Sequence, residues 1–337
     1  MKKKIGGFFE IEVVEQNSEL VTKSVLKNWT SDQNFGLFST ARSIILSLKK
    51  ELGSQNIWIP ELYCDVFKEV REVKHYLLSK GRFDPDVQFL SENVKENDIV
   101  LVVDYFGTEV SQEFIDFAKQ QTSVHWVEDA AHNLMPLKNW ADFTLFSPRK
   151  LVGVSDGGIL VQNNVTKQKI NFSNWTIDSI NSPQSIAPFL RLVAPEFKNL
   201  HDIYRIEELN LGNELRSMSE FTHWQLNYMK LDEKVSQRRE NFLTLQQEFD
   251  QLLPTGLCFT PETVPFGFPI YTKNRNEIQR KLAQEDIFAP IHWQSGGNMR
   301  TARQALHEAS TLTIPCDHRY FAEDMENIKH NLMKFLA

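Results

Sequence analysis

The chain has 337 residues, of which 41% are hydrophobic and 24% charged, and its formal net charge is −7 at pH 7. That length suits one large domain with a smaller one, the composition excludes global disorder, and the acidic balance argues against nucleic acid as the main partner. Three scattered cysteines, Cys64, Cys258 and Cys316, form no CxxC pair, which argues against a zinc ribbon or a disulfide framework and fits reduced thiols in a cytoplasm.

The basic start, Met-Lys-Lys-Lys, runs into acidic residues before any apolar stretch of signal length, and no stretch approaches the roughly 20 apolar residues that span a bilayer. Residues 1–30 read as a lead-in. Within them 7–15 (GFFEIEVVE) partly alternates apolar and acidic residues, as a half-buried strand does. The stretch 35–55 places Ala41, Ile44, Ile45 and Leu48 at helical spacing, with Ser39 and Thr40 at the start as capping hydroxyls and Gly53 to close. Residues 57–60 (IWIP) read as a short strand stopped by proline. The continuous apolar run at 97–107 suits a buried strand of a parallel sheet, 111–121 the helix after it, and 123–132 the next strand and its turn. Two more strands are predicted at 141–147 and 158–163, with Trp126 and Phe143 in the core.

The middle, about 167–215, has little pattern. A long helical stretch is predicted over 217–250. A second unit follows: strand 266–274, helix 275–285, strand 287–293 and a last helix at 321–336. Strands alternating with helices predict an α/β architecture: a large domain with a mainly parallel mixed sheet flanked by helices (1–235) and a small C-terminal α/β domain (236–337). Ligands of such sheets collect at the carboxyl ends of strands. Asp104, Asp129 and Ser147 stand at predicted strand ends.

Three features carry chemistry. In VEDAAH, Asp129 ends a strand ahead of two alanines, which leave room for a large flat group, although Asp is also a common helix cap. In SPRKLVGVSDGG, Lys150 follows Ser147 by three residues and precedes an Asp-Gly-Gly turn; a lone lysine there would ordinarily be a surface residue. The 39–42 turn offers hydroxyls and backbone N–H groups at a helix start. Pyridoxal phosphate (PLP) chemistry needs this combination: an amine to form the Schiff base, a carboxylate to keep the pyridine nitrogen protonated, and a phosphate cradle. No metal site is expected.

The order and spacing of these motifs resemble the DegT/StrS-type sugar aminotransferases, PLP enzymes of fold type I. NFGLFSTARSIILSL resembles the family's phosphate turn and first helix. IWIPELYC resembles the strand that carries a residue stacked on the cofactor. LVVDYFG, VEDAAH and FSPRKLVGVSDGG resemble its aspartate and lysine motifs, and APIHW and TIPCDHRYFAEDMENI its small-domain signatures. The resemblance covers nearly the whole chain. It implies Lys150 as the Schiff-base lysine and proton-moving base, Asp129 as the partner of the pyridinium nitrogen, and Thr40, Ala41, Arg42 and Ser147 around the phosphate. Tyr63 or Cys64 lies against the ring. His132 stands where the family commonly has glutamine and contacts the cofactor or is a satisfied loop histidine.

The resemblance further implies an aminotransferase that moves an amino group from an amino acid, with glutamate as the expected donor, to a nucleotide-linked keto-sugar. The product would serve lipopolysaccharide or related amino-sugar biosynthesis in the cytoplasm. The implied assembly is a homodimer, with Asn210, Asn213 and Arg216 as candidates to reach across. Alternatives are a PLP enzyme acting on a free amino acid and a non-catalytic PLP-fold protein. His292 and Trp293 read as a packing corner, and Arg300 and Arg319 as candidate anion contacts.

Overall fold

The computed structural model describes every residue except 1–2, 15–22, 32, 65–66, 68–69, 164–168, 176–184, 211–213, 295–300 and 337. Asn213 and Arg300 therefore lie outside the described residues. In chain order, the first half contains β1 (Ile5–Gly6), α1 (Val25–Thr30), β2 (Asn34–Phe38), α2 (Ala41–Leu52), β3 (Ile57–Pro60), β4 (Val73–Tyr76), α3 (Val87–Asn93), β5 (Ile99–Val103), α4 (Gln112–Gln120) and β6 (His125–Asp129). There follow β7 (Phe143–Phe146), α5 (Pro148–Leu151), β8 (Gly158–Gln162), α6 (Ala187–Val193), α7 (Leu200–Asn210), α8 (Glu220–Tyr228) and α9 (Asp232–Phe249). The chain then runs through β9 (Phe268–Tyr271), α10 (Arg275–Gln284), β10 (Ile287–Phe288), α11 (Ala302–Ser310), β11 (Thr311–Ile314) and α12 (Ala322–Leu336).

Seven strands form the central sheet in the order β2-β8-β7-β6-β5-β3-β4. From β7 to β4 the neighbours are parallel; β8 runs antiparallel to both β7 and β2. This is the mainly parallel mixed sheet that the sequence predicts. All five residues of β5 are buried, because helices cover both faces. Successive side chains of a strand point to opposite faces. Val100 and Val102 accordingly pack with Phe114 and Trp126, and Ile99 and Leu101 with Ile44, Ile45 and Phe143. Helix α2 begins and ends as its sequence predicts: Thr40 is its N-cap, and Gly53 closes it at φ +65°.

The C-terminal third has its own core, in which Phe242, Phe268, Ile270, Leu282 and Ile328 join Ile5 from the start of the chain. There β9 pairs antiparallel with β11, and β1 pairs parallel with β10.

Three sequence readings change. The strand expected over 7–15 is not formed at residues 7–14: the N-terminal strand is Ile5–Gly6, just before it, and the backbone beyond makes single bonds to loops, from Ile11 N–H to Pro188 O and from Glu12 N–H to Gly153 O. The 217–250 helix breaks between α8 and α9, where Met229 O takes the N–H of Val25. The strand expected over 287–293 shrinks to Ile287–Phe288: Pro290 has no N–H to give a ladder, and Ala289 O is taken by the Gln279 amide. No helix among the described residues is long and apolar enough to cross a membrane.

Candidate active site

The site is built at the carboxyl ends of β6 and β7, facing the N-terminus of α2. Asp129 is the last residue of β6 and its neighbour Glu128 points to the other face, where Trp140 Nε1 and Thr144 Oγ1 hold it at 3.1 and 3.0 Å. The Asp129 carboxylate faces a cavity of about 150 Å³. Its Oδ2 accepts the Tyr63 hydroxyl at 2.8 Å and its Oδ1 accepts Ala131 N–H at 3.1 Å, so two donors fix its plane.

Across the cavity, Ser147 follows β7 and starts α5, a single turn entered through Pro148. This turn presents Lys150 to the cavity. The Lys150 ammonium has no hydrogen-bond or ion-pair partner among the described residues. Its segment is clamped from behind by Arg238, fully buried on α9, which donates to Leu151 O at 2.8 Å and to Pro265 O at 3.1 Å.

The third wall is the turn from β2 into α2. Its first N–H groups have no intrahelical acceptors, and the helix dipole favours an anion there. Ser39 Oγ lines the cavity, buried and without a hydrogen-bond partner among the described residues. The Asp156-Gly157-Gly158 turn lies directly against this cradle. Gly157 adopts φ +131°, and a Cβ on Gly158 would stand 2.4 Å from Thr40 C and 2.5 Å from Ala41 N. Only glycine permits both the conformation and the approach. Asp156 is anchored in turn by the Ser219 hydroxyl at 3.0 Å.

Eight of the nine sequence-predicted residues line this one cavity: Thr40, Ala41, Arg42, Tyr63, Cys64, Asp129, Ser147 and Lys150. The ninth, His132, lines an adjoining cavity of about 290 Å³, with Lys150 common to both. His132 lies flat on Phe266, with ring centroids 3.8 Å apart, near His292, which bonds Thr313 Oγ1 at 2.8 Å. Burial, and then the Lys150 charge, push His132 well below the usual histidine value and His292 down to about 3, so both are neutral at pH 7. His292 and Trp293 pack at this corner as expected.

Sequence reasoning missed Arg149, Tyr204, Glu208 and Arg238. Arg238 carried a signal: with Asn241 it falls on the buried stripe of α9 that Val235, Phe242, Leu245 and Phe249 define, and a polar residue on an apolar stripe marks a built contact. Arg216 contributes its carbonyl to Ser39 N–H at 2.9 Å, and Asn210 ends α7. A larger cavity of about 770 Å³, lined by Arg82, Tyr105, Glu109, Lys138 and Glu262 among others, contains none of the predicted residues.

No protein-family model and no curated protein matches the sequence. Solved structures do match. The Helicobacter pylori aminotransferase PseC, involved in the biosynthesis of pseudoaminic acid, superposes with a TM-score of 0.61 at 14% identity, over 99% of each chain. DesV of S. venezuelae gives 0.62 at 12% identity, over 94% of this chain and 90% of that one. A DegT DnrJ EryC1 StrS aminotransferase from Brucella abortus gives 0.62 at 11% identity, over 92% and 88%. The chain has the fold of these aminotransferases.

Proposed function

We propose that the protein is a PLP-dependent aminotransferase of the DegT/StrS type. The reading rests on one observation: a lysine with no partner among the described residues, a fixed carboxylate and an anion cradle converge on one cavity at the strand ends. The residues suit the cofactor. The buried Ser39 hydroxyl, unpartnered among the described residues, and the α2 N-terminus against which the Gly157-Gly158 turn packs suit a bound phosphate. When bound, PLP supplies an electron sink for bonds at the substrate's Cα.

Thr40, Ala41, Arg42 and Ser147, which line the cavity, would hold the phosphate. The Asp129 carboxylate keeps a proton on the ring nitrogen, and the Tyr63 hydroxyl and Ala131 N–H keep that carboxylate in place. Lys150 Nζ would hold the cofactor and would serve as the base that moves a proton at the substrate's Cα. Neutral His132 and His292 line the substrate side without adding charge.

The donor is an amino acid, with glutamate preferred, and the acceptor a nucleotide-linked keto-sugar. An acceptor with an α-carboxylate usually meets an arginine fork. Arg319 is not available for that task, since its guanidinium is held by both Asp317 oxygens at 2.8 and 2.9 Å and by Phe8 O at 3.1 Å. The pseudoaminic-acid role of PseC agrees with a sugar acceptor. Exposed apolar side chains on α6, α7 and the turn between them (Phe189, Val193, Phe197, Ile206, Leu209) support a homodimer. Residues 1–235 form the large domain, residues 236–337 the small one, and the cytoplasm is the proposed location.

The test is spectroscopic. PLP gives the protein a visible absorbance band, glutamate bleaches it to the pyridoxamine form, and a keto-sugar nucleotide restores it in a single turnover. Rapid return with pyruvate or oxaloacetate, and none with any keto-sugar nucleotide in a broad panel, overturns the sugar acceptor in favour of a free amino-acid enzyme.

A further inference from the structure

At the anion end of the cavity one carboxylate stands between two arginines. Glu208, on α7, meets Arg149 Nη1 with Oε1 and lies 3.3 Å from Arg42 Nη2 with Oε2. The Arg149 side chain is only 10% exposed, yet its Nε and Nη2 have no hydrogen-bond partner among the described residues. Its guanidinium lies over the Tyr204 ring at 5.4 Å, which leaves those two nitrogens to face another acceptor. Two guanidinium groups against one carboxylate leave one positive charge uncompensated, and buried donors left unmade are costly.

We propose that Arg149 is a phosphate ligand of this cavity and that Glu208 is its displaceable place-holder, a carboxylate of the chain's own that occupies the anion position and leaves when phosphate arrives. The identity of the phosphate's carrier rests on the cofactor reading above; the exchange itself does not. A phosphate dianion matches both guanidinium charges, and its three terminal oxygens can accept Arg149 Nε and Nη2 as well as the Ser39 hydroxyl, which one carboxylate cannot do together. Within its own chain the helix that carries Glu208 is lightly held, since α7 has no fully buried residue. Besides Glu208, its hold on the site is Tyr204, stacked on Phe8 at 4.2 Å. At its other face Glu207 ties α7 to the N–H groups of Ile186 and Ala187, so α6 and α7 would shift as a pair.

The experiment titrates inorganic phosphate, pyridoxal phosphate and phosphate-free pyridoxal calorimetrically into cofactor-free protein. Glu208→Gln, which keeps the side chain's length without its charge, is expected to bind inorganic phosphate and pyridoxal phosphate about tenfold more tightly and pyridoxal unchanged. Arg149→Gln is expected to bind both phosphates about tenfold more weakly. In the wild type, saturating phosphate should speed tryptic cleavage at Lys198 or Arg205. Thermal melting establishes that each variant is folded; should Glu208→Gln fail that check, Glu208→Asp, too short to bridge both arginines, replaces it with the same expected direction. Unchanged or weaker phosphate binding in the folded Glu208 variant overturns the proposal. If phosphate behaves as stated while borohydride fixes no pyridoxal phosphate to Lys150, the cofactor reading falls and the place-holder stands.

Discussion

The two ends of the cavity are made differently. At one end Asp129 ends a strand whose flanking strands are fully buried, and two hydrogen bonds fix its carboxylate. At the other, Arg42 and Arg149 meet a carboxylate on a helix that buries none of its residues. A group that must stay aligned with a reacting ring is best carried by the most rigid part of the fold. A group that must give way to a ligand is best carried by a part that opens at low free energy. On the proposed reading the sheet end does chemistry and the α7 end controls admission.

This contrast can be broken at either end. The largest expected effect comes from Lys150→Ala: turnover falls by about 10⁴-fold, the order of a lost proton-transfer group, and borohydride no longer links the cofactor to the chain. Because Lys150 has no partner among the described residues, the melting temperature should stay close to that of the wild type, and a label on another lysine after peptide mapping would refute the assignment. Next is Asp129→Asn, expected to keep cofactor binding while slowing the chemical step on the order of 10²-fold, since an amide cannot hold the ring proton by charge. Near-normal single-turnover rates would remove Asp129 from its role.

Gly158→Ala should act on stability and on the cradle together. The added Cβ meets backbone atoms at 2.4–2.5 Å, which calls for a shift costing about 1–3 kcal/mol and a drop of a few degrees in melting temperature. Full stability with unchanged phosphate affinity would mean that the turn is looser than its contacts indicate.

The smallest effect is in pH dependence. Burial pushes His307 and His318 down to about 4 and His292 to about 3, below the ordinary value of 6.5 that unfolding restores. Between pH 6.5 and 4 the unfolded chain binds more protons, so the stability these neutral histidines contribute is complete above pH 6.5 and is lost as pH falls through that window. His307, whose Nδ1 bonds Tyr271 and Thr311, makes the cleanest probe. The difference in melting temperature between pH 7.5 and pH 5 should be smaller in His307→Gln than in the wild type; an equal difference would place the titration elsewhere.

How much of this could be read in the sequence follows the same division. The strand ends announce themselves: apolar runs over 97–107 and 141–147 stop at polar residues, and the spacing of Asp129, Lys150 and the glycine turn locates them on one edge of a sheet. Helix α2 is legible because Thr40 and Gly53 punctuate it. Strands β2 and β4 were not legible: FGLF reads as the run-up to a helix, and VKHY is too short and too polar to show a period. Arg149 and Glu208 lie 59 residues apart in sequence, and from about residue 167 the stretch between them has little pattern. Nothing local in Glu208 distinguishes it from a solvated helix carboxylate. A pairing made by tertiary folding alone leaves no trace in spacing, whereas a cap or a turn does.

The pairing of β1 with β10 also matters while the chain is being made. Ile5 and its partner Ile287 are separated by 282 positions. At about 5–20 residues per second, a ribosome needs roughly 15–55 s to pass from one to the other. For that interval Ile5, Phe8, Phe9 and Ile11 have emerged without the residues of the C-terminal third that later cover part of them. During that interval these apolar side chains wait for part of their cover. Slowing elongation would lengthen that exposure.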